Sequence, residues 1–136
     1  MVIDAKVIFL LRCILAAIWL YNGLWLKVIV HNAHHLAIVS PIAPSIGLSA
    51  LAMLQLIGSC ETLLAFGILS GLFHRFVSYF QIGVIILMNI IGIVFGGGAI
   101  ADPLGLIISN LPTLACAWLV ALYGPGAYSL NGTKNQ

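Results

Sequence analysis

Charge is what this sequence has least of. Five Lys/Arg and three Asp/Glu make up 6% of its 136 residues, where a soluble domain carries about 25%. A soluble fold of this length needs a polar exterior, and so few charges cannot supply one. The shortage excludes a cytosolic enzyme and a disordered chain, and a net charge of +2 is too small to recruit nucleic acid. Cysteine is also sparse. Cys13, Cys60 and Cys116 are far apart, form no C-x-x-C pair and each lie in an apolar run. This points away from a disulfide framework or dithiol redox centre and toward three small apolar residues in a helix bundle. What the chain has instead is hydrophobicity, with 62% apolar residues and a mean hydropathy of +1.19. Those numbers describe a single integral membrane domain over residues 1–136.

Four apolar stretches reach the roughly 20 residues that a membrane helix needs, at 7–27, 46–69, 76–95 and 104–123. Continuous runs rather than alternating short strands predict an all-α bundle of four transmembrane helices, not a barrel. The first run is longer than a signal-peptide core and no clear cleavage site follows it, so we expect an uncleaved membrane helix. Residues 31–45 read as the only long loop, with His31, His34, His35, Pro41 and Pro44. Asp102-Pro103 is a helix start, aspartate as cap and proline in the first position. Four spans put both termini on one side, with Lys6, Arg12, Arg75 and Lys134 against Asp4, while Lys27 and Asp102 lie on the other. The excess of cations places both termini in the cytoplasm of a cell inner or plasma membrane.

Ionisable groups inside a span mark candidate sites. Arg12 and Glu61 fall at similar estimated depths on the first two spans, and each is the only ionic partner the other is offered. We therefore expect an Arg12–Glu61 pair, serving as a helix lock, as a polar centre facing a ligand, or with Glu61 as a proton-linked carboxylate. Arg12, Trp19, Gly23 and Lys27 fall on one helical face, so Trp19, Gly23 and Lys27 read either as packing and boundary residues or as a ligand-facing wall. Tyr21 and Trp25 fall on the opposite face, toward lipid. Asn89 and Asn110 match in depth on the third and fourth spans, predicting an interhelical hydrogen bond just above a kink at Pro112. Gly67/Gly71 and Gly92/Gly96 have the spacing of close helix contacts. His31 and His35 have the i, i+4 spacing of zinc ligands, but no Asp, Glu or Cys lies among them to complete a site, and we assign no metal.

The first helix, from Arg12-Cys13-Ile14-Leu15 through Trp19-Leu20-Tyr21-Asn22-Gly23-Leu24-Trp25-Leu26-Lys27, resembles the opening helix of DoxX-like membrane proteins. The segment His34-His35-Leu36-Ala37-Ile38-Val39, and Gly58-Ser59-Cys60-Glu61 with Gly67-Ile68-Leu69 in the second span, resemble the same group. The resemblance implies a four-helix membrane protein linked to quinone-coupled oxidation, as a small subunit of a thiosulfate:quinone oxidoreductase or of another redox-associated membrane complex. Relatives that handle thiols would be expected to offer a cysteine pair, which this chain lacks.

Three function classes follow. The first is an accessory or quinone-facing subunit of a membrane oxidoreductase system. With no haem-ligand pair or flavin motif in the chain, its cofactor would be a lipid quinone and its partner a redox enzyme. The second is a non-catalytic membrane anchor or assembly partner, favoured by short loops and the lack of a complete catalytic constellation. The third is a small proton-coupled exporter, against which a paired arginine argues by holding Glu61 charged. Besides the lipid bilayer, a second copy of the chain is a partner that a small bundle can accommodate.

Overall fold

A computed structural model describes residues 3–130. Helix α1 spans Ala5–Leu20, capped by the Asp4 carboxylate, which accepts from the Lys6 backbone N–H at 2.8 Å. It continues into a π-helical segment, Tyr21–Ile29. A short helix α2, Ala33–Val39, follows, capped by Asn32, and a single 3-10 turn, Ala43–Ile46, leads to the next span. Helices α3 (Ala50–Ser70), α4 (His74–Phe95) and α5 (Pro103–Tyr123) complete the chain. Among the described residues there is no strand.

The four expected spans are present, as Ala5–Ile29, Ala50–Ser70, His74–Phe95 and Pro103–Tyr123. Asp102 caps α5 by accepting from the Gly105 N–H, and Pro103 occupies its first position. Most span ends fall within two residues of the sequence reading, and two features depart further from it. The second span starts at Ala50 rather than 46, because Gly47 turns the chain at φ 74° and Ser49 caps the helix at the Ala52 N–H. The stretch read as a loop contains α2, which Asn32 nucleates by accepting from the N–H groups of both His34 and His35.

The spans close a ring in which α1 packs on α3 and α5, and α4 packs on α5 and α3. The π segment lies against α3, while α2 covers one end of the bundle by contacting α3 and α4. At the opposite end, which we term the terminal face, the segment after α5 returns to the start of α1 and to the α3–α4 turn, through Ala127 N–H to Ala5 O and Leu130 N–H to Ser70 O. The core is built largely from α1, α3, α4 and α5, through Ile8, Leu15, Ala16, Trp19, Ala65, Ile68, Ile85, Ala117 and Val120. The outside is as apolar as the inside: Leu63 and Phe76 are 71% and 69% exposed. Polar groups are instead turned inward, with Arg12, Lys27, Glu61, Ser78, Gln81 and Thr113 all buried. A lipid solvent dictates that arrangement.

Of the glycines that the spacing picked out, Gly92 and Gly96 do pack closely, methyl groups there lying 3.5 and 3.3 Å from Ile38 Cγ2 of α2, and Gly71 abuts the Arg12 guanidinium, but the tightest backbone-to-backbone approach falls elsewhere. A methyl group on Gly67 would meet nothing within 4 Å, and Gly71 ends α3 in the left-handed conformation at φ 68°. The close approach is between the π segment and α3. A methyl group on Gly23 would lie 2.8 Å from the Gly58 carbonyl oxygen, and one on Gly58 would lie 2.7 Å from both the Gly23 carbonyl oxygen and Lys27 Cβ.

Candidate functional site

The expected Arg12–Glu61 pair does not form. Glu61 pairs with Lys27, Nζ to Oε2 at 2.7 Å, with both side chains more than nine-tenths buried. This is the one ion pair among the described residues. Local structure explains it. A π-helical turn is wider and advances less per residue than an α turn, so Lys27 stays closer to the middle of the bundle than an α-helix would place it. Asn22 supports the change in winding. Its side-chain amide donates to the Ile18 carbonyl at 2.9 Å, just where the backbone ladder changes register. The glycines at 23 and 58 then let the segment approach α3 closely enough for Lys27 to reach Glu61. Lys27 Nζ also donates to the Asn22 carbonyl at 3.3 Å, leaving one ammonium N–H unused.

Arg12 is buried at the terminal face without a carboxylate. Its Nε donates to the Ile68 carbonyl at 3.0 Å and its Nη2 to that of Leu69. Its Nη1 donates to the carbonyls of Pro125 at 2.6 Å and Ala127 at 3.2 Å. Ile68 and Leu69 belong to the last turn of α3, whose carbonyls have no partner within the helix and carry the negative end of its dipole. The guanidinium is therefore a helix C-cap and a clamp on the segment after α5, with the Phe9 ring 5.7 Å from its Cζ.

A half-open cavity of about 210 Å³ lies between α1, the π segment, α2, α3, α4 and α5. Its polar lining includes Asn22, Lys27, His35, Glu61, Asn89 and Asn110, set among Ile, Leu, Val and Met side chains. Trp19 supplies one wall, held by its indole N–H donating to Gln81 Oε1 at 3.0 Å. Of the residues read as a ligand-facing wall, Trp19 and Lys27 line the cavity and Gly23 does not, being spent on the contact with α3. Asn110 donates to Asn89 Oδ1 at 3.1 Å, so these two residues are joined at the cavity wall as their depths require. Tyr21 and Trp25 are exposed on the outer surface, and Cys13, Cys60 and Cys116 are free thiols.

The histidines separate. His31, left-handed at φ 51°, places Nε2 3.0 Å from the Gln55 side-chain nitrogen, while His34 is exposed. His35 lines the cavity. Burial, then the positive charges of Lys27 and His34, lower its pKa from 6.5 to about 4, so the ring is neutral at neutral pH. Two contributors escaped the sequence reading. Gln81 was a polar residue early in a span, with nothing to mark it as the partner of Trp19. His35 stood in an apparent loop, and only the Asn32 cap signal could have placed it on a helix that folds back over the bundle.

Taken together, the chain is a small multi-pass helical membrane protein whose interior carries an ion pair and a polar-edged cavity. The family model for the DoxX-like family matches residues 16–118, and the chain belongs to that family. Every residue that lines the cavity falls within the matched stretch, whereas Arg12 and the segment it clamps lie outside it. Searches among curated proteins and solved structures found no match.

Proposed function

We propose that this DoxX-like protein is a quinone-facing accessory subunit of a membrane-associated oxidoreductase system, in a cell inner or plasma membrane with both termini cytoplasmic. The observation that carries this reading is the cavity. A pocket that is mostly apolar with a few convergent polar groups is the usual form of a small-molecule site. A cavity of about 150 Å³ lined by aliphatic and aromatic side chains is enough to hold a benzene ring, and this one measures about 210 Å³. A single aromatic head group fits, and an attached lipid tail would leave into the bilayer. The polar lining supplies hydrogen-bonding groups of the kind that the oxygens of such a head group would use, and the redox chemistry itself would belong to the quinone and a partner enzyme.

The exporter reading changes its terms. Glu61 is free of Arg12, but each protonation would have to break its 2.7 Å pair with Lys27, so the objection passes from one cation to another. Thermal unfolding of the purified protein tests the quinone reading. A short-tailed benzoquinone should raise the midpoint, and Met88→Trp, which fills the cavity from an apolar wall, should remove the rise. No shift with any quinone would leave the non-catalytic anchor or assembly role in its place.

A further inference from the structure

We infer that the cavity is loaded sideways from the bilayer, through the seam between the π segment and α5, and that its ligand carries an apolar tail which stays in that seam. The inference rests on the reading of the cavity as the quinone-facing site, and adds the route of entry and the place of the tail.

Two seams border the cavity, and one of them is covered. Helices α3 and α4 are joined at the terminal face by the turn 71–73, and at the other end α2 packs on both. Ile38 of α2 sits against α4, where methyl groups on Gly92 and Gly96 would lie 3.5 and 3.3 Å from its Cγ2. The seam between α1 and α5 is tied only at the terminal face. There Ala127 N–H donates to Ala5 O, and Arg12 donates to the carbonyls of Pro125 and Ala127. Past Leu20 the first span turns away: the contact of Gly23 with Gly58 draws the π segment onto α3, while α5 packs along α4. Among the described residues, no element other than α1 packs on both the π segment and α5.

The walls of this seam fit a molecule with a polar head and an apolar tail. Ile18 and Asn22 line the cavity on one wall, Leu106 and Asn110 on the other, and all four are half-buried. Leu54 and Ile85, from α3 and α4, are buried. The amides at the mouth are incompletely paired. Asn22 donates its side-chain N–H to Ile18 O, and Asn110 donates to Asn89 Oδ1. Among the described residues nothing bonds Asn22 Oδ1 or Asn110 Oδ1, and neither oxygen is sealed from a water molecule. An amide oxygen left against hydrocarbon is costly, and polar side chains within spans mark substrate pathways. A molecule dissolved in the bilayer can enter head first past these amides without crossing the aqueous surface. Its tail is then left between Ile18 and Leu106, in contact with lipid. Binding alone is inferred, with no electron or proton transferred.

The test uses the full-length protein in lipid nanodiscs and a short-tailed benzoquinone with a diazirine on its tail beside the ring. After photolysis, mass spectrometry locates the label, and an excess of the same quinone without the diazirine separates bound probe from probe dissolved in lipid. Labelling that the excess removes should fall on Ile18, Asn22 or Leu106. Competed labelling on α2, or on Ile57 and Met88 of the α3–α4 side, overturns the route and leaves the quinone-facing cavity standing. No competed labelling anywhere overturns both. Leu106→Ala widens the seam, and should speed binding and release together by severalfold while holding Kd within about threefold, since Kd is the ratio of the two rates. Ile57→Ala, on the covered side, should leave both rates as they are. Rates that rise in Ile57→Ala and not in Leu106→Ala put the entrance between α3 and α4 and overturn the route.

Discussion

Lys27 and Glu61 neutralise each other across 2.7 Å, whereas Arg12 spreads its charge over four backbone carbonyls. The two solutions make different predictions. Removing one member of a buried pair strands the other, at a cost of about 3–5 kcal/mol. Lys27→Met or Glu61→Gln alone should lower stability by about that amount, while Lys27→Met with Glu61→Met should recover much of it, since two flexible apolar side chains then fill the space. Arg12→Gln and Glu61→Gln share no partner, and should add to within about 0.5 kcal/mol. Denaturant unfolding of the single and double variants checks both; strong coupling between Arg12 and Glu61 would restore the pairing first expected. Depths counted from the span ends bring Arg12 and Glu61 to one level. The pairing failed for two physical reasons. The second span starts at Ala50, so its midpoint is Cys60 and Glu61 sits at mid-span rather than toward the terminal face. The true counter-charges of Arg12 are carbonyls at a helix end, which every helix has and no residue type marks.

At the scale of the elements, the hydrophobic runs made the four spans legible, and Asp102-Pro103 marked the start of α5 because a cap is a local signal. The change of α1 into a π-helix is only partly local, through the Asn22 side chain. It places Gly23 against Gly58 and is held by contacts with α3, so tertiary packing selects it. The helix α2 was hidden for a related reason: seven residues are too short to be stable alone, and its folding over α3 and α4 supplies what its length does not. The glycines provide the test. Gly23→Ala and Gly58→Ala each push a methyl group to within 3 Å of the facing backbone, and should lower stability by about 1–3 kcal/mol or more, as overpacking does. Gly67→Ala and Gly83→Ala meet open space within their helices, and should be neutral or gain up to about 1 kcal/mol from helix propensity. Thermal unfolding of the four variants should sort them into those two pairs. If Gly67→Ala proved as damaging as Gly58→Ala, the close approach would lie elsewhere.

For the whole molecule, the ion pair changes how charge sets orientation. Lys27 counted toward the side opposite the termini when each charge was assigned by its place in the sequence. Folded, it is buried against Glu61 and presents no charge at either surface. Lys6 and Arg75 are exposed at the terminal face, with Asp4 beside them, and Asp102 is exposed at the other. Lys134, which also entered the count, lies outside the described residues. The surface cations that a positive-inside bias acts on therefore lie, among the described residues, on the terminal face. A fluorescent protein fused after Gln136 should be bright, and alkaline phosphatase fused there inactive, as a cytoplasmic end requires. Replacing Lys6 and Arg75 with glutamate should divide the population between the two orientations. Lys27→Met with Glu61→Met should leave orientation unchanged, because a pair that is neutral in the interior contributes nothing to the bias. An orientation that shifted in this double variant would mean that Lys27 acts during insertion as a free outer-side cation, before the π segment closes onto α3 and Glu61 can reach it.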